Sequence, residues 1–330
     1  MNRDFLSIVG ELNSAKKVLV VGHIMPDGDD ISSVLSATVG LQRLGKEAIA
    51  GIDWKIPWYF YEFEETSLIK RYEDVKESGF SPDFVLILDT SSPDRIGKFQ
   101  EFLGNVPSAV IDHHGTNTFF GTFNWVDTKF GSTAQMVLRL NTELGIVYDE
   151  RLATINLMGI ATDTGFFRYT NADEIVFSDA TKLVSMGGKP YLISRLFENK
   201  RIEQFKLLSI MIEHLRTEND GKIVYSYLAK DDYENNNCTE DDSGGFVGEL
   251  RSIQGIELAI FFSEYERGEI HVSFRSRDWF DCSKLAVLLG GGGHPRAAGC
   301  TLRGELSVII EEVIREAKIM YSSQYSSVKS

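Results

Sequence analysis

The chain has 330 residues with 43% hydrophobic and 25% charged content, enough for about two domains of roughly 150 residues that each hold a core. Its 34 Lys and Arg against 48 Asp and Glu give a formal charge of −14, which argues against a surface that tracks long nucleic acid by neutralising phosphates. A small anion held through metal ions stays compatible with that charge.

Cys238, Cys282 and Cys300 have no Cys-x-x-Cys spacing and are odd in number, so neither a zinc ribbon nor a disulfide framework is indicated. No run reaches the ~18 apolar residues of a spanning helix, and the first residues lack a basic segment followed by an apolar one. The expectation is a soluble cytoplasmic protein with no membrane partner.

In chain order, Lys17 to Gly22 is a short β-branched run suited to a buried parallel strand. The loop from His23 to Asp30 follows, then a helical spacing over Ile31 to Leu44 that stops at Gly45. Strand followed by polar loop recurs at Phe84–Leu88 leading into Asp89, and at Ala109–Ile111 leading into Asp112. Helices are expected over about Ser132 to Leu144, Glu150 to Thr162 and Asp173 to Met186, with a break at Gly187-Gly188-Lys189-Pro190. This alternation predicts an α/β fold with an N-terminal doubly wound, mainly parallel sheet. Two helical patterns, Tyr191 to Phe197 and Ile202 to Leu215, read as a connector. A smaller α/β domain with a mixed sheet follows, giving domains 1–188, 189–218 and 219–330. The Ser-rich stretch after Tyr321 reads as disordered.

Several loops carry residues that packing does not call for. His23, Asp27 and Asp29 place an imidazole and two carboxylates on one turn, whereas Asp30, beside the helix, reads as its N-cap. Asp89 and the triplet Asp112-His113-His114 stand at the corresponding ends of later strands, and Asp163 at a helix end. Taken alone, Asp112-His113-His114 is equally a capped turn with surface histidines. Taken together, strand ends about 4.8 Å apart converge within metal-bridging range. His23, Asp27, Asp29, Asp89, His113 and Asp163 are too many ligands for one ion and suit two, the arrangement that clamps a phosphoryl group and lowers the pKa of an attacking water.

Further on, Gly290 to Gly293 precede His294-Pro295-Arg296. Gly291, Gly292 and Gly293 could form a backbone nest for an anion, with His294 on a phosphate or base. On the preceding strand, alternation puts His271, Ser273, Arg275 and Arg277 opposite Ile270, Val272 and Phe274, and Arg275 offers a bidentate fork to phosphate. His214 is expected to bind the carbonyls ending its helix. Trp54, Trp58, Tyr59 and Phe60 are expected to pack together rather than stack on a base.

The ordered series His-x-x-x-Asp-x-Asp, strand-end Asp, Asp-His-His and Asp-Thr-Gly resembles the DHH phosphoesterase superfamily, and Gly-Gly-Gly-Gly-His-Pro-Arg-Ala-Ala-Gly resembles its C-terminal substrate domain. The layout is most similar to the NrnA-type group of nano-oligoribonucleases and 3′-phosphoadenosine-5′-phosphate phosphatases. This chain departs from the usual pattern after Asp29, where Asp30-Ile31-Ser32-Ser33 stands.

The resemblance implies two divalent ions, manganese first and Mg²⁺ or Co²⁺ as alternatives. His23, Asp27 and Asp89 would hold one ion, and Asp29, Asp89, His113 and Asp163 the other, with Asp89 bridging. His114 would contact the scissile phosphate and Asp112 would orient a histidine. Arg275 and Ser276, within a Phe-Arg-Ser similar to that of relatives, and His294 would contribute to substrate binding, in a cleft between the domains; Arg277 and Arg168 are further candidates from their residue type alone, since an arginine at a strand or loop edge is usually solvated. The implied activity is hydrolysis of short RNA or linear dinucleotides to mononucleotides, and of 3′-phosphoadenosine 5′-phosphate to AMP and phosphate, with no long double-stranded partner. A RecJ-like exonuclease, an inorganic pyrophosphatase and a non-catalytic nucleotide-binding regulator are the rival expectations. The sequence leaves a homodimer open.

Overall fold

A computed structural model describes residues 3–198 and 200–329. The chain divides into two compact units, Met1–Glu198 and Asn199–Ser330.

The first unit is a six-stranded parallel sheet. Its strands are β1 (Lys17–Val21), β2 (Glu47–Gly51), β3 (Ile69–Lys70), β4 (Phe84–Leu88), β5 (Ser108–Asp112) and β6 (Phe123–Val126), in spatial order β3-β2-β1-β4-β5-β6. The β-branched and aliphatic residues of β4 and β5 are wholly buried because helices and loops cover both faces, as parallel sheets require. One face packs on α1 (Arg3–Ser14), α2 (Gly28–Arg43), α4 (Thr133–Glu143) and α5 (Glu150–Asp163). The other covers Leu19, Val21, Val85, Ile87 and Val110 with Val75 of α3 (Tyr72–Glu77), Ile96 and Phe99. The chain reverses its direction of strand addition between β1 and β4, and in such open sheets ligands bind beyond the carboxyl ends at that point. Val21 pairs with Ile87 and Leu88 with Ile111, so continuing each strand brings the segments of His23, Asp89 and Asp112 side by side.

The helices expected from the sequence are present with nearly the expected bounds, while α1 and α3 were not expected. Ser132, Asp149 and Asp173 each accept a hydrogen bond from the first turn of α4, α5 and α6 (Glu174–Ser185). At α2 the cap is Asp27, not Asp30: Asp27 Oδ1 accepts the Asp29 and Asp30 amides, and the helix begins at Gly28. Gly28 lets this start lie against α5, where a Cβ would stand 2.3 Å from Thr162 Oγ1. The two segments expected as a connector fall one in each unit, α7 (Pro190–Glu198) in the first and α8 (Ile202–Glu213) in the second.

The second unit holds β7 (Arg216–Glu218), β8 (Ile223–Leu228), β9 (Leu258–Glu266), β10 (Glu269–Ser276), β11 (Gly292–His294) and β12 (Ala297–Arg303) in a mixed sheet ordered β11-β12-β10-β9-β8-β7. It also holds α9 (Lys230–Asn235), α10 (Phe246–Ser252), α11 (Cys282–Leu288) and α12 (Leu306–Lys329). Residues 322–329 continue α12 rather than being disordered, Tyr321 and Tyr325, one turn apart, both packing on Trp279 at 4.8 and 5.4 Å, and Ser330 lies outside the described residues. No helix among the described residues is long and apolar enough to cross a membrane.

Candidate active site

His23, Asp27, Asp29, Asp89, His113, His114 and Asp163 converge at the carboxyl ends of β1, β4 and β5. Ligating atoms of His23, Asp27 and Asp89 lie within 4.8 Å of one another, as do those of Asp29, His113 and Asp163, and those of Asp89, His113 and His114. Asp89 is common to two of these groups. His23 Nε2 is 3.8 Å from Asp89 Oδ2, and His113 Nε2 is 3.6 Å from Asp89 Oδ1, 3.5 Å from Asp163 Oδ2 and 4.0 Å from Asp29 Oδ2.

The backbone aims these groups. Asp89 leaves β4 with φ of 54°, the left-handed region that a non-glycine residue enters only where surroundings enforce it. Its amide donates to Ile111 O, and its Oδ1 accepts from Thr133 Oγ1 at 2.8 Å. Asp29 is fixed by the first turn of α4: the Thr133 amide donates to Oδ2 at 2.6 Å and the Ala134 amide to Oδ1 at 2.9 Å. A carboxylate at a helix N-terminus is favoured by the dipole. His23 Nδ1 lies 2.8 Å from Ile24 O, and with the proton there Nε2 keeps its lone pair towards Asp89. His113 Nδ1 is similarly placed 3.3 Å from Phe130 O.

His114 is held differently. Its Nδ1 is 2.6 Å from Asp112 Oδ1, and its side chain is 24% exposed against 8% for His113. Asp112, fully buried, also accepts from the His114 amide, and its Oδ2 accepts from Asn117 Nδ2 at 2.6 Å. Burial pulls the His114 pKa down, but the Asp112 hydrogen bond and the charges of Asp89, Asp112 and Asp163 outweigh it and raise it to about 9.

The carboxylates are crowded. Burial first, then the charges of Asp89, Asp163 and Asp27, hold Asp29 well above the usual carboxylate range. Burial and the charges of Asp27 and Asp89 raise Asp163 to about 7 against the opposing pull of His113. Buried acids this close repel unless a cation intervenes. Imidazole nitrogens and carboxylate oxygens together form a donor set for borderline and hard divalent ions, so the residues fit such a metal.

The sequence did not reveal how four further residues shape the site. Asp30 is buried and accepts the His23 amide at 3.1 Å, and Gly22 leaves room for it, since a Cβ there would stand 2.3 Å from Asp30 Oδ1. Burial, partly offset by His23, raises Asp30 to about 8. Thr133 and Asn117 act as described above, and Arg95 Nη2 stands 3.1 Å from His23 Nδ1, to which it can donate only in the tautomer with the proton on Nε2, in competition with the contact to Ile24 O. Gly131-Ser132-Thr133 ahead of an apolar helix was the available signal, but it reads only as a cap.

In the second unit, register aligns part of the expected set. Arg275 of β10 and His294 of β11 both pair with Ala297 of β12, so they flank one small residue in a single row, on one face of the sheet. Ser276 turns to the other face, wholly buried, with Oγ 3.3 Å from Pro295 O and 3.4 Å from Arg296 Nη1; it fixes the turn beside His294. Arg277 lies past the strand.

The glycine run is an edge strand and its lead-in, not a loop nest. A Cβ on Gly291 would stand 2.1 Å from Gly299 O, and one on Gly293 2.6 Å from Ala297 O, while Gly292 faces open space. Close approach to β12 is therefore what excludes side chains at Gly291 and Gly293. His214 reaches across to β8, with Nδ1 3.1 Å from Tyr227 O and its ring stacked on Tyr227 at 4.2 Å. Arg168, in the first unit, donates Nε to Gly165 O at 2.8 Å. Of the expected aromatic cluster only Phe60 is core, while Trp54 and Trp58 are exposed.

Comparison with known proteins bears on this arrangement. The DHH family N-terminal domain matches residues 17–160 and the DHHA1 domain residues 220–319. A bifunctional oligoribonuclease and PAP phosphatase NrnA from Thermus thermophilus is 34% identical over 305 residues, 91% of this chain and 89% of that protein. The crystal structure of an exopolyphosphatase-related protein from Bacteroides fragilis superposes with a TM-score of 0.90 at 22% identity, covering 99% of this chain and 98% of that one. RecJ from Thermus thermophilus, in complex with Mn²⁺, superposes with a TM-score of 0.57 at 13% identity, covering 97% of this chain and 55% of that one. The strand-end acids and histidines of the first unit and the glycine-histidine hairpin of the second fall inside the two matched regions, and the chain belongs to the DHH family with a DHHA1 domain.

Proposed function

We propose that the chain is a two-metal phosphoesterase that hydrolyses short oligoribonucleotides or linear dinucleotides to mononucleotides, and 3′-phosphoadenosine 5′-phosphate to AMP and phosphate. The observation that carries this reading is the convergence of acids and imidazoles from three strand ends and a helix end, with Asp89 shared between groups. The relative from Thermus thermophilus, named for both activities and aligned along nearly the whole chain, supports the substrate class.

His23, Asp27 and Asp89 would hold one divalent ion and Asp29, Asp89, His113 and Asp163 a second, Mn²⁺ by preference. When bound, such a pair supplies charge neutralisation at the phosphoryl oxygens and a water acidic enough to attack near neutral pH. The protein's own groups do the rest. Thr133 and the start of α4 hold Asp89 and Asp29 in place. Asp112 keeps the His114 Nδ1 proton engaged and its ring fixed, so that Nε2 can donate to a phosphate oxygen. Arg275 and His294 stand in one row of the sheet and would offer a guanidinium and an imidazole to a phosphate or base of a small substrate, which reconciles anion binding with the acidic whole.

Mn²⁺-dependent release of mononucleotide from a diribonucleotide tests the reading. Asp89→Ala and His113→Ala should each abolish it, and chelation should both stop turnover and lower the melting temperature. Full activity retained in both variants refutes the two-metal assignment.

A further inference from the structure

Beside the acid cluster, a pocket of about 220 Å³ opens between Asp27 and Asp163 and is walled by Tyr59, Phe166, Tyr169 and Phe197, with Arg168 at its rim. The rings of Tyr59 and Phe166 each stand 4.8 Å from that of Phe197, at 41° and 76°. Tyr59, Phe166 and Phe197 pack on the edge of the unit's aliphatic core and stay half-buried, and Tyr169 is exposed, so the rings present part of their surface to the cavity.

The turn that carries the pocket is strained. Gly165, Phe166 and Phe167 have φ of 58°, 58° and 62°, three successive left-handed residues that follow Thr164, the residue capping the helix that ends at Asp163. Aromatic residues rarely adopt that conformation, and strain of this kind collects where a side chain must be aimed. The turn is held by Phe166 N donating to Ala161 O at 2.6 Å and Arg168 Nε donating to Gly165 O. Tyr169 lies flat over Gly165, where a Cβ would meet its ring at 2.3 Å.

We propose that this pocket is the nucleobase subsite of the enzyme, a proposal that rests on the function given above. A phosphate at the acid cluster leaves the base of the same nucleotide within one sugar of it, and the cavity is smaller than drug-sized sites of about 300 Å³ or more, so it suits a single ring system. Aromatic walls accept the π-face of any base, so the pocket selects for a base without selecting which one. The remaining guanidinium N–H groups of Arg168 are left for the charged part of the same ligand.

The test compares 3′-phosphoadenosine 5′-phosphate with the 3′,5′-bisphosphate of abasic ribose as Mn²⁺-dependent substrates of the full chain. Tyr59→Leu, Phe197→Leu and Phe166→Gly, the last suited to the positive φ, should each lower the ratio of kcat/KM between base-bearing and abasic substrate by roughly five- to a hundredfold. A merely structural ring would lower both values together, and an unchanged ratio in all three variants overturns the proposal. If the unmodified chain hydrolyses neither substrate, the 3′-phosphoadenosine 5′-phosphate activity fails separately, and the diribonucleotide assay given above decides the phosphoesterase reading. Equilibrium binding of AMP and ribose 5-phosphate then decides the pocket: loss of AMP affinity alone in the variants supports it, and equal affinities overturn it.

Discussion

Replacing Asp112 with Asn isolates the support given to His114. The carboxylate uses both oxygens as acceptors, Oδ1 for the His114 ring and amide and Oδ2 for Asn117 Nδ2 at 2.6 Å. An amide of the same shape can keep one acceptor towards His114, but its NH₂ then faces the NH₂ of Asn117. Asn117 cannot turn to relieve this, because its Oδ1 accepts the Phe119 amide at 2.7 Å and its Nδ2 also donates to Thr90 O. Two buried donors are thus opposed, and a charge-assisted bond becomes a neutral one.

Such a change costs about 1–3 kcal/mol. For a unit of this size, a loss of about 2 kcal/mol lowers the melting temperature by roughly 4–8 °C. Loss of a partner that orients an active-site histidine typically reduces activity about 10–100-fold. Thermal unfolding and dinucleotide hydrolysis should therefore both respond to Asp112→Asn. In an Asn117→Ala background the opposing donor is gone, so the same replacement should destabilise by about 1 kcal/mol less. Additivity of the two changes within ~0.5 kcal/mol, or an Asp112→Asn enzyme within about twofold of the parent in kcat, refutes the hydrogen-bond account.

Thr133→Val removes the hydroxyl that reaches Asp89 while keeping the amide that holds Asp29, so activity should fall about tenfold with a melting temperature near the parent's. Thr133→Ser should restore it, and equal loss in both variants would show that the hydroxyl is not the relevant group. Two helical glycines should respond to Ala with opposite signs. Gly159→Ala places a Cβ 2.6 Å from Ala134 Cβ and 2.9 Å from Asp29 Oδ1, and should destabilise by about 1–3 kcal/mol while weakening Mn²⁺ binding in a calorimetric titration. Gly10→Ala in α1 meets nothing within 4 Å and should stabilise by about 0.5–1 kcal/mol in urea unfolding.

What the sequence could and could not disclose follows from the range of each interaction. The strands β1, β4, β5 and β10, the extents of the helices that start near Ser132, Glu150 and Asp173, and the residues that gather at the strand ends were legible because hydrophobic period and turn chemistry are local. The error at Asp27 and Asp30 was local too. Both acids stand where a cap is plausible, and only burial under Gly22 shows that Asp30 braces the His23 amide while Asp27 caps. Thr133 was invisible for a different reason. It lies 44 residues from Asp89 and 104 from Asp29, and its role exists only because α4 is brought to the end of β4.

The glycine run before His294 shows the same limit from the other side, since a nest and a tightly paired edge strand both demand glycine. The difference rests on Gly299, across the hairpin, whose carbonyl approaches Gly291 too closely for a side chain. A motif therefore fixes which atoms must be small or charged, while the partner they are small or charged for is decided by contacts distant in sequence. In this chain that division separates the ligand candidates, which could be read directly, from Asp30, Thr133 and Asn117, which hold them.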